Sequence, residues 1–102
     1  MALTTLTNRQ AKQLRGLAHH LDPVINIGKE DISEGLVRQA DQALEAHELI
    51  KCSVQNGSSL TVSEAADALA AETGAELVQV IGHKFVLYRE SSRDDIEKIE
   101  LV

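Results

Sequence analysis

The residues with the clearest chemical potential lie in the stretch NIGKEDISEG, residues 26–35. A short apolar run ends there at Gly28, and polar or charged residues lead into a helical pattern. Free N–H groups at a helix start attract phosphate, a glycine permits close approach, and Lys29 adds a mobile cation. The same residues also fit a plain helix start, because Asp31 or Ser33 can cap the helix, and Asp31 has a glutamate at capping-box spacing. Taken alone, the junction favours the capped helix.

Catalytic and metal-binding patterns are weak in the rest of the chain. Cys52 alternates with apolar positions, which is typical of a buried thiol and not of an exposed, activated nucleophile. A zinc site needs three or four convergent ligands, and ligand spacing is lacking among the histidines, which are His19, His20, His47 and His83. We therefore expect no enzymatic activity, no small-molecule substrate, no metal and no cofactor.

Length and composition describe one small folded domain. The chain has 102 residues, 43% of them apolar, and a single proline, so it can bury one core and should not be disordered. No run approaches the roughly 20 apolar residues that cross a bilayer, and the start shows no apolar signal core. A single cysteine fits a reducing compartment. These features predict a cytoplasmic protein without a membrane partner.

Charge is distributed unevenly along the chain. The net charge is −6, which argues against indiscriminate nucleic-acid binding. Residues 1–29 nevertheless carry four lysines or arginines and one acid, whereas residues 90–102 carry two cations and five acids. This polarity allows a local basic surface on an acidic protein, although it is equally compatible with an ordinary solvated surface.

Hydrophobic periodicity and turn residues predict seven elements in the order α-β-α-β-α-β-β. They are expected at residues 7–18, 24–27, 36–47, 48–54, 61–73, 76–81 and 84–89. The third helix starts at a capping box of Thr61 and Glu64 and stops at Gly74, and Gly82-His83 forms the last hairpin turn. Strands that alternate with helices imply some parallel pairing. The expected fold is an α/β two-layer sandwich with a mixed four-stranded sheet.

Three segments in this order resemble the CRM-domain family, in particular its single-domain bacterial YhbY-type members. They are LRGLAHHLDPVINIGKEDISEGLV, QALEAHELIKCSV and ETGAELVQVIGHKFVLYR. The resemblance spans about residues 5 to 90. It implies a fold similar to the C-terminal domain of translation initiation factor three, with a CRM-type domain over residues 1–90 and an acidic tail over residues 91–102. The apolar tail residues Ile96, Ile99 and Leu101 hint that the tail docks on the domain. It also implies an RNA-binding protein, expected to be monomeric, that associates with ribosomal RNA or the precursor of the large ribosomal subunit and assists ribosome assembly.

The resemblance also implies where RNA is bound. The family's RNA-contacting loop is a G-x-x-G sequence, likened to the loop of KH domains that clamps nucleic-acid backbone. It falls here on residues 28–31, where Gly28 and Lys29 match, Glu30 adds negative charge and Asp31 replaces the last glycine. The basic face that the family presents is assigned to the remaining cations near the matched segments, namely Arg9, Lys12, Arg15, Lys51, Lys84 and Arg89.

Other residues of the matched segments have a structural interpretation. Gly16 and Leu17 are expected to pack helix one against the sheet, and Tyr88 is expected to be buried and not to stack on a base. A second function also stays open. The net charge of −6 and the acidic tail favour a protein–protein adaptor on the same scaffold, with an RNA loop eroded by Glu30 and Asp31.

Overall fold

The computed structural model of the chain describes residues 6–102. Its elements follow the expected order, and the first five residues of the expected domain lie outside the described residues. Three helices and four strands occur in this range: α1 (Asn8–Ala18), β1 (Pro23–Ile27), α2 (Glu34–His47), β2 (Leu49–Val54), α3 (Val62–Thr73), β3 (Glu76–Ile81) and β4 (Lys84–Tyr88).

Local capping chemistry fixes the helix ends. The predicted capping box of α3 is confirmed, since the Thr61 hydroxyl accepts from the Glu64 N–H at 3.1 Å and the Glu64 carboxylate accepts from the Thr61 N–H at 2.9 Å. The helix stops at Gly74, whose φ of 69° is readily adopted by glycine. An unforeseen box of Thr7 and Gln10 starts α1. Caps of this kind contribute about 1 kcal/mol each.

The four strands form one mixed sheet in the order β1-β2-β4-β3. β1 runs parallel to β2, while β4 is antiparallel to both β2 and β3. The β3–β4 hairpin turns at Gly82, where φ is 58°. The expected α/β fold with a mixed four-stranded sheet is therefore confirmed.

The larger core lies between the sheet and the pair α2 and α3. Alternate residues of the strands point into it, as the pleat of a strand requires, and small alanines let both helices approach closely. The buried members of this larger core include Ile25, Ile50, Cys52, Phe85, Leu87, Ala40, Leu44, Ala66 and Leu69.

No helix within residues 6–102 has both the length and the apolar character needed to cross a bilayer.

The opposite face of the sheet is covered in part by α1 and the C-terminal tail. Leu14 and Ala18 of α1 pack there against β2 and β4, and Ile99 and Leu101 of the tail join them. This cover adds a partial third layer to the two layers expected. It confirms the docking of Ile99 and Leu101, whereas Ile96 is not among the residues packed in this cluster. The expected burial of Tyr88 is confirmed by its place in the same cluster.

Specific hydrogen bonds attach the tail to the domain. The buried Glu48 carboxylate accepts from the N–H groups of Ser91 and Ile99, both at 2.7 Å. The Gln13 side chain of α1 donates to the Glu100 carbonyl at 2.8 Å and accepts from the Val102 N–H at 3.0 Å. The division at residue 90 stays a prediction, but these contacts make residues 91–102 part of the folded structure.

One packing expectation for α1 is wrong. Gly16 is exposed and a Cβ on it would meet no atom within 4 Å, so it does not pack the helix against the sheet. Leu17 is 45% exposed but lines a groove with Leu49 and Ile50 of β2. The helical repeat explains this result, because Gly16 lies opposite the buried stripe of Leu14 and Ala18 and Leu17 lies at its edge.

The buried thiol of Cys52 should be unreactive in the folded protein. Burial raises the pKa of Cys52 to about 12, and only the thiolate is a good nucleophile. Iodoacetamide at pH 8 should therefore leave the native protein unmodified but label it rapidly in guanidinium chloride, as mass spectrometry can show. Equal labelling under both conditions would contradict this burial.

The same shift predicts the direction of an alkaline effect on stability. The folded-state pKa of Cys52 lies above the ordinary value of 9.0, so the folded state retains its proton where the unfolded state loses it. The resulting stabilisation is complete below pH 9 and is lost as the pH rises through about 12. Urea unfolding between pH 8 and 11 measures this loss, and a Cys52→Ala variant, which has no thiol to ionise, should show a smaller one.

Candidate nucleic-acid interface

The tertiary structure gathers three of the predicted cations in one groove. The groove, about 360 Å³ in volume, lies between α1 and the part of the sheet that α1 leaves open. Its lining contains no carboxylate, and it consists of Arg15, Ala18, His19, Lys51, Gln79, Ile81, Lys84, Phe85 and Val86. We call it the cationic groove. On a chain with a net charge of −6, this concentration of positive charge favours an anionic ligand.

Strand alternation puts the two lysines on the α1 side of the sheet. Their sequence neighbours Cys52 and Phe85 point into the larger core, so Lys51 and Lys84 point to the opposite face. Lys51 pairs with Val86, and Ser53 pairs with Lys84, which makes the lysines diagonal neighbours with Cα atoms about 7–8 Å apart. This spacing suits successive phosphates of one nucleic-acid strand, which are on the order of the same distance apart.

Helix α1 supplies the other wall of the groove and has no acidic residue over its whole length. Arg15 reaches the groove, while Arg9 and Lys12 are exposed on the outward side of the helix. His19 also lines the groove, a residue that the sequence gave no reason to select. Arg15 is thus the α1 cation that shares the groove with the two strand lysines, and the assignment of Arg9 and Lys12 to the same binding face stays a prediction.

The loop of residues 28–31 is a tight turn that follows β1. The Asp31 N–H donates to the Gly28 carbonyl at 2.9 Å and closes it. Lys29 and Glu30 are both exposed at its tip. A Cβ built on Gly28 would meet no atom within 4 Å, and its φ is not positive, so neither packing nor conformation demands a glycine there. Space is therefore open above the backbone of Gly28.

Asp31 holds this loop against the β2–α3 loop. Its carboxylate accepts from the Ser58 hydroxyl at 2.6 Å, the Ser59 hydroxyl at 2.6 Å and the Ser59 N–H at 3.0 Å. Helix α2 is capped instead by Ser33, whose hydroxyl accepts from the Leu36 N–H at 3.1 Å. The interpretation of Asp31 as the helix cap is therefore wrong, and the open alternative of Ser33 is confirmed.

Two features of Asp31 are compatible with an aspartate where the G-x-x-G loop, as implied by the resemblance, has its last glycine. Asp31 has φ of 53°, a left-handed conformation that aspartate tolerates better than most side chains. Hydrogen bonds from Ser58, and then from Ser59, hold the pKa of its carboxyl below the usual 3.8. The contact with the serines therefore persists above pH 3.8 and is lost only in stronger acid. Its negative charge is directed at the serines, and not at the space above Gly28.

A row of polar side chains joins the loop to the cationic groove. The Gln55 side-chain amide donates to the Asn26 side-chain oxygen Oδ1 and to the Ser53 hydroxyl, each at 3.2 Å. Asn26 pairs with Ser53 in the sheet, and Ser53 pairs with Lys84, so Asn26 and Lys84 lie about 10 Å apart across neighbouring strands. These polar residues were not among the predicted binding residues, although the alternation of strand β2 indicates that Ser53 shares a face with Lys51.

Arg89 is placed apart from the other predicted cations. It follows β4 at the end opposite Lys84, and its guanidinium contacts Asp41 at 2.6 Å and Glu45 at 3.1 Å on α2. It also donates to the Thr73 carbonyl at 2.8 Å. These contacts tie α2 and α3 to the sheet and balance the charge of Arg89, whose assignment to a binding face stays a prediction.

An acidic cleft lies on the other side of the domain. A cleft on α2 and α3 is lined by Glu34, Asp41 and Glu72 together with Arg38. Because α2 and α3 cover one sheet face and α1 the other, the acidic cleft and the cationic groove lie on opposite sides. The net charge of −6 therefore does not describe the surface near the groove.

The site offers no aromatic surface to a ligand. The chain has one phenylalanine, one tyrosine and no tryptophan, and Phe85 and Tyr88 are 0% and 7% exposed. No group of three or more histidine, cysteine or acidic side chains is placed to hold a metal within residues 6–102. The interface is thus built from cations, amides and backbone, which are groups that contact phosphate and sugar.

Fold and site together define a small α/β domain that presents a cationic sheet face beside a glycine loop. Comparison with known sequences agrees with this description. The family described as the CRS1 / YhbY (CRM) domain matches residues 6–89. The chain belongs to this family.

Relatives of similar length exist in distant bacteria. A protein of Haemophilus influenzae named "RNA-binding protein" is 42% identical over 95 residues, which cover 93% of this chain and 96% of the relative. The Bacillus subtilis protein named "Probable RNA-binding protein YqeI" is 41% identical over 94% of this chain and 98% of its own. The solution structure of hypothetical protein SAV1595 from Staphylococcus aureus is 42% identical and covers 93% of this chain and 100% of that one, with a TM-score of 0.70.

Proposed function

We propose that this domain is a non-catalytic RNA-binding protein that holds RNA in the cationic groove and on the loop of residues 28–31. The observation that carries the proposal is the convergence of Arg15, Lys51 and Lys84 in a groove without carboxylates. The names of the two bacterial relatives, both of which refer to RNA binding, support it. The proposed binding set combines the loop residues Gly28 and Lys29 with the cations of α1 and the sheet, which are Arg9, Lys12, Arg15, Lys51 and Lys84. Arg89 lies at its periphery.

The chemistry of the groove favours contact with the RNA backbone over readout of bases. Lysine and arginine bind phosphate, and Asn26 and Gln55 can hydrogen-bond to sugar hydroxyls. Stacking of bases on aromatic side chains, which many RNA-binding domains use, has no counterpart because Phe85 and Tyr88 are buried. RNA is therefore recognised by the shape and spacing of its backbone.

The resemblance to single-domain YhbY-type proteins supports a finer assignment. In this proposal the RNA is ribosomal, the bound particle is the precursor of the large ribosomal subunit, and the protein acts in the cytoplasm as a monomer during ribosome assembly. Crosslinking in cells, followed by mapping of the bound RNA, tests this assignment. Crosslinks confined to messenger or transfer RNA would overturn it.

Salt dependence separates RNA binding from the adaptor alternative. Each phosphate contact releases counterions, so binding to a ribosomal RNA fragment should weaken steeply as salt rises from 50 to 200 mM. The acidic cleft of Glu34, Asp41 and Glu72 is the observation that favours an adaptor, since it suits a basic protein partner. An adaptor of this kind would show no salt-dependent binding to RNA alone.

Replacement of Asp31 by glycine tests whether this acid supports or weakens the loop. The change restores the family's glycine, suits the φ of 53° and removes a negative charge. It also removes the three hydrogen bonds to Ser58 and Ser59, so the loop must be ordered when RNA binds. We expect RNA affinity to fall about threefold to tenfold, as the cost of ordering a loop segment suggests.

A serine double variant is the matched control for this prediction. Ser58→Ala with Ser59→Ala removes the two hydroxyl donors and keeps the charge of Asp31, so it should weaken binding to a similar extent. Fluorescence anisotropy with a labelled RNA fragment measures both proteins. Tighter binding of the Asp31→Gly variant would show that repulsion of phosphate outweighs the support of the loop.

A further inference from the structure

Gly16 lies inside α1, in its last turn, where glycine is less favourable than alanine. The helix runs from Asn8 to Ala18, and a glycine in such an interior is less stable than alanine because it loses more backbone freedom. The residue is exposed, and a Cβ built on it would meet no atom within 4 Å. Nothing inside the described part of the chain therefore excludes a side chain at this position.

The other glycines differ in backbone conformation and in the space around them. Gly74 and Gly82 have positive φ angles of 69° and 58°. A Cβ on Gly57 would lie 3.7 Å from Lys29, and one on Gly35 would lie 4.0 Å from the Ser33 hydroxyl. Both distances are ordinary van der Waals contacts. A Cβ on Gly16 or on Gly28 would meet no atom within 4 Å at an ordinary φ, and Gly28 belongs to the loop of residues 28–31.

The neighbours of Gly16 on the helix surface are residues one turn away in each direction. Lys12 precedes it, and His19 and His20 follow, all of them exposed. Gln13, the fourth neighbour, is held toward the tail by its bonds to Glu100 and Val102. The helix surface at Gly16 thus carries no side chain, and it lies between a lysine and two imidazoles that can donate to phosphate.

We propose that the sugar–phosphate backbone of the bound RNA crosses α1 at Gly16, in direct contact with the helix main chain. This inference rests on the proposed function and extends the binding path from the cationic groove over the top of α1. Absence of a side chain allows the sugar to approach, while Lys12 and His19 flank it on the two sides. Gly28 serves the same purpose at the other end of the path, which explains why both open glycines lie in the cationic part of the domain.

Substitution of Gly16 by alanine should change stability and binding in opposite directions. Alanine is the better helix former, so the thermal midpoint should rise by about 3–8 °C. The added methyl occupies the space of the RNA backbone, so affinity for a ribosomal RNA fragment should fall at least about threefold. A bulkier Gly16→Leu variant should bind still more weakly and remain folded.

The matched control is Gly35→Ala, the same substitution in a helix on the other side of the sheet. It should leave RNA affinity unchanged. An unchanged affinity of Gly16→Ala and Gly16→Leu would overturn the inference, as would an equal loss of affinity in Gly35→Ala or a lowered midpoint of Gly16→Ala. The proposed function is tested separately in the same assay by charge reversal of Lys51 and Lys84, which should weaken binding by about a hundredfold even if Gly16 plays no part.

Discussion

Simultaneous replacement of Lys51 and Lys84 by glutamate should weaken RNA binding by about a hundredfold. Both side chains line the cationic groove, and each should lose a charge-assisted contact with phosphate. A loss of about 1.4 kcal/mol for each contact corresponds to a factor of ten. Reversed charge adds repulsion, and the dependence of affinity on salt should become shallower because fewer counterions are released.

The control for this variant reverses the same number of charges elsewhere. Arg38 lines the acidic cleft on α2 and α3, and Lys98 is exposed in the tail. The variant Arg38→Glu with Lys98→Glu has the same net charge as the groove variant, so the two proteins experience similar long-range repulsion from RNA. If both variants bind equally weakly, net charge governs affinity and the groove is not the binding site.

Folding of both variants can be verified independently of binding. Lys51 and Lys84 point away from the larger core, and neither has an ion pair among the residues that the structure describes. Circular dichroism and thermal unfolding should therefore resemble those of the parent protein. Retained structure together with retained RNA affinity would contradict the assignment of the groove.

Replacement of Glu48 by glutamine should have the largest effect on stability. Its carboxylate is fully buried and accepts from the backbone N–H groups of Ser91 and Ile99. A glutamine keeps one acceptor but turns an NH2 group toward the second N–H, which leaves a buried donor without a partner. Such a loss costs about 1–3 kcal/mol, so the thermal midpoint should fall by roughly 5–20 °C.

Glu48 also has an unusual backbone conformation and a backbone hydrogen bond to the residue after β4. Its φ of 65° is unfavourable for a residue with a side chain, and it lies between α2 and β2, where its carbonyl accepts from the Arg89 N–H at 2.9 Å. The hydrogen bonds of the carboxylate offset this conformational cost. Glu48 thereby connects α2, β4 and the tail at one point.

Glu97→Gln is the appropriate control, since Glu97 is exposed in the same tail and its substitution removes one charge. It should leave the midpoint within about 2 °C of the parent. Hydrogen exchange of the Ser91 and Ile99 amides should accelerate in the Glu48→Gln variant and stay unchanged in the control. Equal midpoints for both variants would show that the tail does not contribute to stability.

Most of the fold follows from local sequence patterns. The capping box of Thr61 and Glu64, the glycines at positions 74 and 82, and the alternation around Cys52 each determine a short segment through interactions within that segment. These interactions do not depend on distant residues, which explains why the order of elements and the presence of a mixed sheet were predictable. The position of α1 on the second sheet face was not, because an amphipathic helix fits either face.

The candidate site was predictable only in part. The sequence identified Gly28, Lys29 and the three cations of α1, since each belongs to a recognisable segment. It gave no means of distinguishing Lys84 from Arg89. Lys84 is the first residue of β4, and Arg89, five residues later, directly follows that strand. Their surroundings differ because Arg89 meets carboxylates of α2, whereas Lys84 faces α1 and the open sheet.

The sequence by itself determined the elements, their order, the burial of Cys52 and the family to which the chain belongs, because these depend on periodicity and short motifs. Only the tertiary structure decided which charges act together. Net charge is a sum over the chain, whereas a binding surface depends on distances, and these are set by strand register and by the face on which each helix packs. The role of Asp31 shows the same limit: its partners Ser58 and Ser59 are 27 and 28 residues away in sequence, and only folding brings them within hydrogen-bonding distance.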